Sequence, residues 1–215
     1  MSPASPSPWS AAHLAEKAAE IVAADELPAI VQAGHPVLRS QALTFEGQLD
    51  DALLRALIEV MRRTMHAAPG VGLAAPQIGL PLRLAVLEDM WGTDEEVARV
   101  RERVPLPFLA ILNPTYVPAG KEQAEFYEGC LSVRGYTAVV RRPTRVEARW
   151  TSPEGTSRRA EFSGWPARII QHETDHLAGT LYLDKAELRS LCTNEEYAAR
   201  WAQPTPAAAA RGLGF

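Results

Sequence analysis

Gln171-His172-Glu173-Thr174-Asp175-His176-Leu177-Ala178-Gly179 is the stretch around which the rest of the chain is read. Two histidines stand four residues apart with a glutamate directly after the first, the H-E-x-x-H arrangement. On a helix, residues i and i+4 share a face one turn apart, so both imidazoles can reach a single cation. Glu173 is turned by about 100° from His172, which lets it face a water beside the cation. The flanks suit a helix: Ser163 as N-cap, Pro166 in the first turn, Gly179 just past the end. Trp165, Ile169, His172 and His176 recur at spacings of 4, 3 and 4, which gives one inward face. A buried amphipathic helix with hydrogen-bonded core histidines satisfies the same pattern, so the rest of the chain has to decide.

At 215 residues, 47% hydrophobic and 22% charged, the chain suits one globular domain with tails. A net charge of -4 argues against a protein whose main task is gripping nucleic acid. Two cysteines, Cys130 and Cys192, imply no disulfide framework and point to a reducing, cytoplasmic setting. No apolar run approaches the roughly 20 residues that span a membrane. The N-terminus lacks a basic region followed by an apolar core, so no secretory signal is expected.

Residues 1–9 are Pro/Ser-rich and read as a mobile tail, and the Ala-rich run 10–24 as a helical appendage starting at Ser10. His13, His35 and His66 read as surface or packing residues. Over 50–66, Leu53, Leu54, Leu57, Ile58, Met61 and Met65 follow helical spacing, with an aspartate cap and Pro69-Gly70 at the end. Strands are predicted at 82–88, 108–117 (broken at Asn113-Pro114), 136–142, 144–151 and 156–162, with a short helix at 94–102. The arginines at 141, 142, 145, 149, 158 and 159 read as a solvated sheet face, with a docking patch for polyanions as the alternative. A short strand at 180–183, Cys192 in a connection, a helix near 194–201 and a loosely ordered 203–215 complete the reading.

Two further stretches carry chemistry. In Gly70-Val71-Gly72-Leu73-Ala74-Ala75-Pro76-Gln77-Ile78-Gly79, small residues allow a close backbone approach. The Lys-Ser/Thr of a phosphate loop is missing. Gln77 is one polar amide in an apolar stretch, and its NH₂ can donate to a developing oxyanion. A third metal donor is also needed beside His172 and His176. Cys130 is the best candidate, because it follows a glycine in the polar stretch Glu128-Gly129-Cys130-Leu131-Ser132 and a thiolate binds divalent metals well.

Taken together, residues 70–77, 128–132 and 171–177 resemble the three defining motifs of the peptide deformylases, in the family's order. The resemblance runs from about residue 28 to about 184. It implies an α+β fold, with a central metal-binding helix surrounded by antiparallel or mixed β-sheets. It divides the chain into an N-terminal extension (1–27), one catalytic domain (28–202) and a flexible C-terminal tail (203–215). The implied activity is removal of the formyl group from N-formylmethionine on nascent polypeptides. The implied metal is Fe²⁺, replaceable by Zn²⁺, Ni²⁺ or Co²⁺, held by Cys130, His172 and His176. Glu173 would act as general base and then general acid, with the Gln77 side chain and the Leu131 N–H as oxyanion donors. Gly70 and Gly72 would admit a formyl hydrogen and crowd larger acyl groups, and Val71, Phe126, Trp165 and Ile169 would form the methionine pocket. A transient ribosome contact belongs to the same expectation, although the region after 184 is not a long basic helix.

One rival reading is an H-E-x-x-H endopeptidase. A third histidine six residues after His176 is excluded, since Tyr182 stands there. A downstream glutamate ligand remains open through Glu195 or Glu196, but it leaves Cys130 and the Gln77 loop unexplained. A purely structural metal module would fill its fourth position with another protein ligand, which the retained Glu173 and Gln77 argue against.

Overall fold

A computed structural model describes residues 10–215; the expected tail over 1–9 lies outside the described residues. Helix α1 (Ala11–Ala23) starts where the Ser10 side chain accepts the His13 N–H at 3.2 Å. It buries Leu14, Ala18 and Ile21 in the same core as the helix that follows, which corrects the reading of this run as an appendage. Three small or medium side chains at i, i+4 and i+7 are enough to dock it. Helix α2 (Asp51–Ala67) is capped by Asp50 and buries Leu54, Leu57, Ile58, Met61 and Met65.

The chain then makes β1 (Gly72–Ala74), a 3₁₀ turn at Ala75–Ile78, β2 (Leu84–Asp89), α3 (Glu95–Val100) and β3 (Leu106–Pro118). The expected break at Asn113-Pro114 is a bulge inside one strand, with Asn113 at φ 51° and the pairing shifted between Leu112 and Thr115. Next come β4 (Gln123–Cys130), β5 (Val133–Pro143), β6 (Arg145–Thr151), β7 (Ser157–Ser163) and α4 (Gly164–His176). The chain ends with β8 (Ala186–Thr193), the short turn α5 (Asn194–Glu196) running into a π turn at Tyr197–Trp201, and α6 (Ala207–Leu213).

Two antiparallel sheets result, ordered β1-β2-β3-β6-β7 and β4-β5-β8. The fold class is α+β, as expected, and α4 packs against both sheets. Its Ala167, Ile169 and Ile170 share a core with Leu87, Ile111, Val146 and Ala148 from the larger sheet. Burying each large aliphatic side chain contributes about 1.5–3 kcal/mol, so the helix is anchored along its length.

Four further expectations are corrected. The predicted strand at 180–183 is a 3₁₀ turn, Tyr182–Lys185, whose Tyr182 hydroxyl donates to the Tyr136 carbonyl at 3.1 Å. Cys192 lies on strand β8, which alternation missed because only Ser190 of this sheet-edge strand is buried. The 203–215 segment holds α6, with Ala209 buried against Tyr127 and Val139; an alanine run favours helix and docks through a small face. Among the six arginines read as a solvated face, Arg142 is buried.

Candidate active site

The β4–β5 hairpin carries Cys130 to α4. Its Sγ lies 3.3 Å from His176 Nε2, and the His172 and His176 rings are 5.0 Å apart. One ligand atom from each of these three residues lies within 4.8 Å of the others. A soft thiolate with two imidazoles is a donor set for a divalent transition metal. Burial and the neighbouring His172 push His176 well below its usual range, toward the neutral form that has a lone pair to donate. Three protein donors leave room for a further ligand. The buried Glu173 Oε2 has no hydrogen-bond partner among the described residues, which fits a site built around a further group.

His172 is oriented from behind. Its Nδ1 lies 2.9 Å from Glu128 Oε2. Glu128 in turn accepts from Arg142 at 2.7 and 3.0 Å and from Arg168 at 2.5 Å. Burial alone would raise the Glu128 carboxyl, but Arg142 and His172 together outweigh it and hold the group well below the carboxylate range. Arg142 also reaches Asp175 at 2.7 Å, which Tyr116 and Lys185 contact as well. The sequence reading named no such partners. Glu128 was visible in the motif next to Cys130, but Arg142 was hidden in a run of arginines.

Glu173 sits beside the three donors, buried, and burial pushes its carboxyl up to about 7. A Cβ on Gly72 would overlap that carboxylate, and one on Gly70 would stand 2.8 Å from the Leu131 side chain. The glycines therefore make room for the chain's own groups. Gln77 is buried with its amide fixed: Oε1 accepts the Ala74 N–H at 2.8 Å, while Nε2 faces Ser132 Oγ at 3.3 Å and Cys130 Sγ at 3.6 Å.

The sequence profile of the polypeptide deformylases matches residues 27–191. Peptide deformylase 3 of Streptomyces avermitilis is 55% identical over 94% of this chain and 90% of its own length. Peptide deformylase 1 of Streptomyces coelicolor is 54% identical over 94% and 93%. The chain belongs to the peptide deformylase family. Its activity is hydrolysis of the N-formyl group on formylmethionine polypeptides. Among solved structures, the Met-Ala-Ser-bound class I type b peptide deformylase of Acinetobacter baumannii superposes with a TM-score of 0.67, at 27% identity, covering 75% of this chain and 99% of that one.

A cleft of about 590 Å³ opens over the deformylase site. Gly70, Val71, Gly72, Gln77, Leu131, Trp165 and Ile169 line it, beside Cys130, His172 and Glu173. Phe126 stands directly behind the cleft-lining Trp165. It packs edge-on against Trp165, ring centres 6.3 Å apart, with the Arg168 guanidinium 5.1 Å from its own. Glu195 and Glu196 are exposed on α5, where Glu196 pairs with Arg200, and neither joins the donor group. The downstream-glutamate reading is thereby removed. Among the described residues no helix is long and apolar enough to cross a membrane.

Proposed function

We propose that Cys130, His172 and His176 hold one divalent cation, Fe²⁺ in the cell, with Zn²⁺, Ni²⁺ or Co²⁺ able to replace it. When bound, such a cation supplies Lewis acidity and lowers the pKa of water toward about 7. Glu173 takes the proton from the attacking water and later delivers it to the departing amine. The Gln77 NH₂ and the Leu131 backbone N–H donate to the oxyanion formed at the formyl carbon. Val71, Phe126, Trp165 and Ile169 form the pocket for the methionine side chain, Phe126 from behind Trp165, and Gly70 and Gly72 keep that approach narrow. Ile169→Glu is expected to raise KM for formyl-methionyl peptides.

The observation that carries this reading is the buried Glu173 carboxylate, with one oxygen unpartnered among the described residues, beside a sulfur and two imidazoles. The Acinetobacter relative was solved with Met-Ala-Ser bound, which agrees with a methionine-led peptide as the ligand class. The proposed setting is the cytoplasm, on nascent chains, with at most a transient ribosome contact. Two unpaired thiols and a net charge of -4 agree with that setting. Anaerobic purification with metal analysis and a formate-release assay tests the whole scheme. One metal per chain and formate release that Glu173→Gln abolishes are expected; formate release undiminished in Cys130→Ala would sink it.

A further inference from the structure

Residues 30–33 belong to none of the three motifs, yet they lace two of them together. We propose that Gln32 is a positioning residue that sets the direction of the oxyanion donors; this rests on Leu131 and Gln77 being those donors. The Gln32 side chain spans the turn after Cys130. Its Nε2 donates to the Leu131 carbonyl at 3.0 Å and to the Ile30 carbonyl at 3.1 Å. Its Oε1 accepts the Arg134 N–H at 3.1 Å. One amide thus grips the turn on both sides of Ser132.

The backbone beside it does the rest. The Ala33 N–H donates to the Ser132 carbonyl at 2.7 Å, and the Val31 N–H donates to the Gln77 carbonyl at 2.9 Å. Ser132 Oγ is in turn 3.3 Å from the Gln77 NH₂. Both proposed donors therefore hang on one short segment.

The sheet does not perform this task by itself. The β4–β5 ladder shifts register between Gly129 and Cys130, next to the turn that carries Leu131. A locally irregular ladder leaves the tip's carbonyl and N–H groups to find other partners. Gln32 supplies them from outside the cleft; it is not among the cleft-lining residues and touches no reacting atom. Oxyanion donors act because they point the right way before charge develops. A misplacement of about 1 Å can cost up to about a hundredfold in rate.

The test compares Gln32→Met, Gln32→Lys and Gln77→Leu in the metal-loaded enzyme. Gln32→Met keeps the length and removes both hydrogen-bonding ends. Gln32→Lys returns a donor toward the Leu131 and Ile30 carbonyls. Formate-release kcat and KM, metal per chain and amide exchange over residues 131–134 are measured for each. For Gln32→Met, kcat is expected to fall about tenfold, less than the hundredfold or more from losing a donor outright. KM and metal content are expected to stay unchanged while exchange at 131–134 quickens, and Gln32→Lys recovers most of kcat. A Gln32→Met kcat within about twofold of wild type, against the hundredfold scale of a lost donor, overturns the proposal. So does a fall that tracks metal loss, or a Gln32→Lys variant no better than Gln32→Met. If Gln77→Leu also leaves kcat intact, the oxyanion assignment itself fails; if Gln77→Leu collapses kcat while Gln32→Met is silent, the role of Gln32 falls alone.

Discussion

Two charged clusters of this protein use the same residue types to opposite ends. On β6 and β7, Glu147 lies between Arg149 and Arg159, whose side chains are both 64% exposed. Between α4 and β4–β5, Arg142 and Glu128 are 2% and 4% exposed and stand behind His172. The contrast reaches down to neighbours. Arg141 pairs with Glu125 in solvent, while Arg142 turns inward to Glu128 and Asp175. Successive residues of a strand point to opposite faces, so one step along β5 separates surface decoration from the support of the site. Exposed pairs contribute about 0–1 kcal/mol, whereas removing one partner of a buried pair costs about 3–5 kcal/mol.

The largest expected effect is that of Arg142→Met. It leaves Glu128 with Arg168 and Asp175 with Lys185 as their remaining cations, so urea unfolding should report a loss of about 3 kcal/mol, the low end for a broken buried pair. A loss below about 1 kcal/mol would erase the distinction between the two clusters. Glu128→Gln is milder, because it keeps the shape and removes the charge that orients His172. Metal affinity is expected to drop about 10–100-fold, read by competition with a chelator.

A third prediction sets two buried carboxyls of this site against each other. Glu128 has Arg142 beside it and is held low, so its stabilising contribution is present above the unfolded value of 4.5 and lost as pH falls. Glu173 is pushed up to about 7 by burial. Only its ionised form accepts a proton, so kcat/KM should fall about tenfold per pH unit on the acid side. A cation bound nearby favours the carboxylate, which puts that limb at or below about 7 in the loaded enzyme. A limb well above 7 in the pH–rate profile would contradict the assignment. The smallest effect is expected from Arg159→Ala, within about 1 kcal/mol by urea unfolding and smaller still at high salt.

Much of the site was legible because its signals are local. His172, Glu173 and His176 are fixed by helical spacing; the α1 cap stood in the sequence at Ser10, and the α2 cap was narrowed to Asp50 or Asp51, of which the structure uses Asp50. Gln77 stood out because a lone amide in an apolar loop must find partners, and it does so with Ala74 and Ser132. Strand β8 was not legible: an edge strand with a single buried residue has no alternating pattern to print on its sequence.

By itself, then, the sequence determined the helix that presents two imidazoles and a glutamate, since a 3.6-residue period acts over a few residues. Only the tertiary structure decided which arginine turned inward, that Phe126 stands behind Trp165, and that Gln32 reaches Leu131 across 99 residues of chain. Those choices depend on how strands register and sheets pack around α4. Such contacts join residues far apart in sequence and leave no period for a reader of the chain to find.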